Sequence, residues 1–187
     1  MNVFDFDNTI YRGDSTADFV RYLIGKQPLL FFYILRFACA YGLYKLRLTS
    51  KTAAKQALFR MFSKVPSMEE SLRDFWDGHL QNVKSWYSGL HRDDDLVISA
   101  SPEFLILPAC RALHITRVMG SPVDMHTGAY AGQNCSGPEK TRRFREQYPD
   151  AVIENFFSDS LSDSPMADIS LQAYLVKGDK FFPWPSH

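Results

Sequence analysis

With 187 residues the chain has room for one domain, or one domain carrying a modest insertion, and enough length to bury a sizeable core. Lysine plus arginine equals aspartate plus glutamate at 21 each, so a basic face for nucleic acid is not indicated globally, which leaves room for a local patch, and no protein partner is indicated either. Cys39, Cys110 and Cys135 are too scattered for a disulfide framework or a zinc site, and the five histidines show no ligand spacing, which suits a reducing, cytoplasmic setting.

The chain opens MNVFDFDNT, and Asn2 to Phe6 reads as a short apolar strand rather than as a leader peptide. Asp5 and Asp7 are two apart, so in a strand they point the same way and repel unless a cation or a shared proton lies between them. After Asp14 the spacing turns helical, with Phe19, Val20, Leu23 and Ile24 on one face. Asp14 and Ser15 are N-cap candidates for that helix.

Pro28 can start a second helix, and the run from Leu29 to Leu46 is apolar nearly all round. A spanning helix needs about 20 mostly apolar residues. Arg36 interrupts this one, and Lys45 and Arg47 close it. Two readings remain. Burial in a helical bundle is the commoner reason for so short a run. The other is a helix lying in a membrane interface, with Arg36 and Lys45 reaching back to water.

Thr49 and Ser50 can cap a third helix through about Phe62, and Pro66-Ser67 opens a fourth with Glu69 and Glu70 in its first turn. No strand is evident between Thr16 and about Tyr87. Asp93-Asp94-Asp95 reads as a solvated turn before a second strand, Leu96-Val97-Ile98. That strand ends in Ser99-Ala100-Ser101-Pro102, where Ser101 and Pro102 look like the start of a helix over Glu103 to Leu113. Further elements are a strand over Ile115 to Met119, a hairpin over Val123 to Ala131, and a helix over Pro138 to Tyr148 that exposes Arg142, Arg143 and Arg145. A strand over Val152 to Phe157 ends in an acidic turn, Ser158 to Asp163, and a last strand near Ser170 to Val176 precedes a turn-rich tail.

Strands alternating with helices, plus one helical block of about seventy residues, predict an α/β fold with a mostly parallel sheet. Active sites of such sheets lie at the carboxyl ends of the strands, where Asp5/Asp7, Ser99/Ser101 and Asp159/Asp163 fall. A hard cation such as Mg²⁺ takes a few carboxylates plus phosphate oxygens and water, and Asp5 and Asp159 can supply two. Asp5 is then the candidate nucleophile on phosphorus, and Asp7 the candidate acid and base. Ser99, backbone N–H groups of the following turn at Ala100, and Lys140 are the candidate phosphate donors.

In that order the motifs resemble the haloacid dehalogenase superfamily, in particular its phosphoserine-phosphatase-like branch with a helical cap. Asp5-Phe6-Asp7-Asn8-Thr9 is similar to its DxDxT loop, Ser99 and Lys140 to its second and third motifs, and Asp159 to Asp163 to its DxxxD loop. The resemblance implies a Rossmann-like core over 1–14 and 88–187 and a helical cap over 15–87. It implies Asp5 as nucleophile and Asp7 as acid/base, with Asp5, Asp159 and the Asp7 carbonyl holding Mg²⁺. Asp163 would be a water-mediated partner, Thr9 would support the loop, and Lys140 would bind phosphate and tie down Asp5. Asp14 matches the acid that faces a substrate amine in that branch. The branch's carboxylate-binding arginine has no counterpart: Gln56 stands near its place, with Lys55 and Arg60 beside it. Ser99-Ala100-Ser101 likewise replaces Ser-Gly-Gly.

Asp14 to Leu23 and Phe157 to Pro165 also resemble the phosphatidylglycerophosphatase C-like branch, whose cap carries an apolar segment. The leading expectation is a Mg²⁺-dependent phosphatase of a small phosphorylated metabolite. The alternative is a lipid-phosphate phosphatase at the inner membrane surface, touching it through 29–46. The third expectation is a non-catalytic phosphate-binding protein.

Overall fold

A computed structural model describes residues 1–185, so His187 lies outside the described residues. Six strands form one sheet: β1 (Asn2–Phe4), β2 (Leu96–Pro102), β3 (Arg117–Ser121), β4 (Ile153–Ser158), β5 (Ser170–Lys177) and β6 (Lys180–Pro183). Their order is β3-β2-β1-β4-β5-β6. The first five run parallel and β6 is antiparallel to β5. The chain lays β2 and β3 on one side of β1 and then β4 and β5 on the other, so the crevice where the order reverses opens beside the end of β1.

The central strands are apolar along their length because both faces are covered, and alternation assigns each side chain to a face. Val3, Leu96, Ile98 and Phe156 pack with Phe144 of α7 (Pro138–Gln147) and Met166 of α8 (Ser164–Ala167). Phe4, Val97 and Phe157 point the other way, toward α6 (Glu103–Ala112) and the helical block.

That block comprises α1 (Ser15–Lys26), α2 (Phe31–Lys45), α3 (Lys51–Phe59), α4 (Met68–His79) and the short α5 (Ser85–Ser88). Its starts follow the capping chemistry read from the sequence: Asp14, Ser50 and Ser67 accept from Ala17, Ala53 and Glu70 N–H. Phe19 of α1 meets Phe75 of α4 edge-on at 5.1 Å. The Trp76 indole donates to the Leu105 carbonyl at 2.7 Å, fixing α4 on α6.

The structure departs from the expectations in five places. The apolar run is not buried in a bundle: no residue of α2 is buried, and only Tyr33, Ile34 and Phe37 pack partly against the core. The tail forms β6, because Gly178 at φ +60° lets the chain turn back between Lys177 and Lys180. The third helix gives way to a 3-10 turn, Arg60–Lys64. The 123–131 hairpin is one isolated bridge, Val123 to Tyr130, rather than a ladder. Asp95 is no solvated turn residue: it is buried, and its carboxylate accepts from Arg92 N–H and the Tyr87 hydroxyl.

Candidate active site

The ends of β1, β2 and β4 converge on a cavity of about 350 Å³. Asp5 continues β1, its N–H bonded to the Phe157 carbonyl of β4 at 2.8 Å. Asp159 follows β4 directly, and Ser99 lies within β2. Asn8 then takes a left-handed φ of +54°, a conformation asparagine tolerates, and turns the chain toward α1. Of the residues singled out from the sequence, the cavity is lined by Asp5, Asp7, Asp14, Ser99, Ala100, Lys140, Asp159 and Asp163. Thr9 is not among its walls. It is fully buried beneath the loop, and its hydroxyl has no hydrogen-bond partner among the described residues.

Lys140 lies in the first turn of α7 and is buried despite its charge. Its ammonium is 2.9 Å from Asp5 Oδ1 and 2.6 Å from Asp163 Oδ2. Ser158 Oγ also donates to Asp163, at 2.8 Å. Asp163 is therefore spent on fixing the lysine between β4 and α7. Burial alone would depress the Lys140 ammonium, but Asp5 and Asp163 outweigh it and hold the group charged. Asp5 is pushed up to about 7, chiefly by burial, with Asp163 and Asp7 adding to the rise and Lys140 opposing it. One ammonium is thus shared between two buried carboxylates.

Asp7 faces another way. Its Oδ1 accepts from Ser15 N–H at 2.7 Å, and its Oδ2 accepts from the Ser101 hydroxyl, which also meets Thr16 Oγ1 at 2.7 Å. Burial raises the Asp7 carboxyl above its ordinary value, and the nearby Asp14 charge adds to the rise. Ser101 is thus not the cap of α6: Pro102 holds that position, and Ser101 turns into the cavity. Period-two spacing from Ser99 on the same strand was the signal for it. Ser99 Oγ accepts from Ser101 N–H at 3.1 Å.

Lys55 went unassigned in the sequence. From α3 its ammonium donates to the Ala100 carbonyl at 3.1 Å and to Asn134 Oδ1 at 3.0 Å, which ties the helical block to the turn after Ser99. Asp14 both caps α1, accepting from Ala17 N–H at 2.9 Å, and lines the cavity.

Five aspartates and three lysines, Lys51, Lys55 and Lys140, line this space. Burial also raises Asp159, with Lys140 and an Asn8 hydrogen bond opposing. Among the described residues no three His, Cys, Asp or Glu side chains converge as a closed metal cage. Asp5 and Asp159 both line the cavity, and two carboxylates are a donor chemistry that suits a hard cation such as Mg²⁺, whose shell phosphate oxygens and water complete. Burial is the main cause of the upward shifts at Asp5, Asp7 and Asp159, and buried carboxylates of this kind gain from a cation beside them.

The family model for haloacid dehalogenase-like hydrolases matches residues 3–168. A histidinol-phosphatase of Neisseria meningitidis serogroup C (strain 8013) is 24% identical over 207 residues, covering 96% of this chain and 90% of that protein. A solved protein of unknown function from Bordetella pertussis Tohama I superposes with a TM-score of 0.74 at 16% identity, over 92% of this chain and 87% of that one. A phosphoserine phosphohydrolase-like protein from Francisella tularensis subsp. tularensis SCHU S4 gives 0.60 at 14% identity, over 92% and 86%. At these identities the two structures speak for the fold.

Proposed function

The chain belongs to the haloacid dehalogenase-like hydrolase family, and from that premise we propose a Mg²⁺-dependent phosphatase that works through an aspartyl-phosphate on Asp5. The observation that carries this reading is the buried Asp5–Lys140–Asp163 bridge, which points one carboxylate into the cavity and fixes the cation beside it.

An Asp5 carboxylate oxygen attacks phosphorus, and the bond from phosphorus to the leaving oxygen breaks as Asp7 gives that oxygen its proton. The raised Asp7 carboxyl suits a donor at this step, and Ser101 and Ser15 hold it in place. In the second half Asp7 takes a proton from water, the water oxygen attacks phosphorus, and Asp5 leaves with inorganic phosphate released. The Ser99 hydroxyl, the Ala100 N–H and the Lys140 ammonium would meet the phosphoryl oxygens where negative charge spreads. Mg²⁺, held by Asp5, Asp159 and the Asp7 carbonyl, would supply charge neutralisation for those oxygens and the carboxylates.

Residues 15–87 act as a cap over a core of 1–14 and 88–187, with Lys55 as the tie between them at the Ala100 turn. The cavity suits a small phosphorylated metabolite. Asp14 favours a leaving group that carries an amine, a chemistry in keeping with a relative described as a histidinol-phosphatase. A phosphate carried on a lipid is the second reading, and the exposure of α2 favours it.

Hydrolysis of p-nitrophenyl phosphate in Mg²⁺ tests the chemistry. The wild-type chain should turn over and Asp5→Asn should not, whereas an inactive, correctly folded wild type would return the site to phosphate binding alone. Histidinol phosphate, phosphoserine and phosphatidylglycerophosphate, assayed in parallel, separate the substrate readings.

A further inference from the structure

The segment around α2 keeps large apolar side chains in water: Leu29, Phe31, Phe32, Leu35, Leu43 and Leu46 are all at least 47% exposed. A contiguous apolar surface of this kind on a water-soluble fold marks an interaction face. Its charges narrow the choice of partner. All 21 acids of this electroneutral chain lie outside residues 19–68, while that span carries nine lysines and arginines. A second copy of this face would set Arg36, Lys45 and Arg47 against the same three cations with no acid on the segment to offset them, and like charges repel across a two-fold contact. An anionic lipid surface meets both properties at once, the apolar side chains and the cations.

We propose that α2 and its flanks are a docking face for an anionic membrane surface, with the helix lying in the plane of the interface. At 15 residues α2 is about 22 Å long, short of the ~30 Å hydrocarbon core, and no helix among the described residues is long and apolar enough to cross a membrane. Tyr33, Ile34 and Phe37 anchor its inner face to the core, which leaves the outer face free for lipid. The Arg36 guanidinium lies 5.8 Å from the Tyr33 ring centroid and the Lys45 ammonium 5.3 Å from that of Tyr41. Long cationic side chains folded along aromatic rings in this way suit the headgroup layer. Phe37 and Lys51 also line the cavity that holds Asp5, so the docking face and the cavity share a wall.

Flotation of the full chain with vesicles reads this without turnover, so it stands or falls separately from the phosphatase reading. We expect at least about tenfold more chain with phosphatidylcholine/phosphatidylglycerol vesicles than with phosphatidylcholine alone, reduced at high salt. The double substitution Phe31→Ser, Phe32→Ser should abolish flotation while leaving p-nitrophenyl phosphate turnover unchanged, since both rings point to water. Arg36→Glu with Lys45→Glu should remove the preference for the anionic lipid. A chain that turns over p-nitrophenyl phosphate yet stays below both kinds of vesicle overturns the proposal. A sedimenting dimer that the phenylalanine substitutions dissociate overturns it too, in favour of a second copy.

Discussion

The cavity at the strand ends and the α2 face invert the usual distribution of side chains in opposite senses. At the strand ends charge is inside: Asp5, Asp163 and Lys140 are buried and bonded to one another. On α2 the apolar side chains are outside, with Phe32 62% exposed and Leu35 50% exposed. Both arrangements cost stability, since buried charge must be desolvated and exposed apolar area forgoes its burial energy. The cost at the strand ends is offset inside the molecule by partners that can be named. That of α2 is left open, and only a second surface can offset it.

Removing the partner at the strand ends should therefore have the largest effect. Lys140→Met leaves Asp5 and Asp163 buried without a cation, which costs about 3–5 kcal/mol for a pair of this kind. Denaturant unfolding should show that loss, and p-nitrophenyl phosphate turnover should vanish with it. A variant as stable as the wild type would mean that the carboxylates simply take up protons, and that Lys140 is there for phosphate rather than for the fold.

The same contrast has a pH signature. In the metal-free protein Asp5 is pushed up to about 7 from 3.8, so between those values the folded chain binds a proton that the unfolded chain has released. Stability should then fall as pH rises from about 4 to about 7. Added Mg²⁺ competes with that proton, so its stabilising effect should grow over the same window. Melting curves in EDTA and in Mg²⁺ across this range check both signs. A flat EDTA series would mean that Lys140 outweighs burial and keeps Asp5 ionised.

A smaller effect is expected at Ser101. Its hydroxyl bond lowers the Asp7 carboxyl against burial, so Ser101→Ala should raise that group further and move the Asp7-controlled limb of the pH–rate profile upward. Loss of this positioning contact should cost about tenfold in kcat, of the order of one hydrogen bond to a charged group, with KM little changed. A drop in kcat with an unmoved profile would make Ser101 a packing residue only.

The two regions also differ in how much the sequence could disclose. Asp5, Asp7, Asp159 and Lys140 were readable because each sits at a strand end or helix start that local patterning marks, and alternation fixed which way the strands faced. Ser101 was misread as a cap because Pro102 offers the same local signal. Lys55 stood out only as a neighbour of Gln56, and its tie was not legible, because its partners Ala100 and Asn134 are 45 and 79 residues away and no local pattern encodes that meeting. The β6 turn is legible in Gly178-Asp179, a pair of the kind that closes a hairpin. For α2, apolar composition records what a segment would gain from leaving water, not what is there to cover it. Burial in a bundle therefore followed from the commoner case and failed in the particular one.

The smallest expected effect is the one that bears most directly on α2. If α2 were packed as its composition suggests, cutting Phe31 and Phe32 back to serine would cost about 3–5 kcal/mol at each ring. With both rings exposed, each substitution should move stability by no more than about 0.5 kcal/mol. Removing two apolar groups from water could even raise solubility. Urea unfolding of the double variant, free of lipid, distinguishes these cases. A large loss would show that the face is covered in solution by some part of the molecule or by a second copy. A near-zero change would leave these rings with no work in the lipid-free fold, so that whatever keeps them apolar must act when a surface is present.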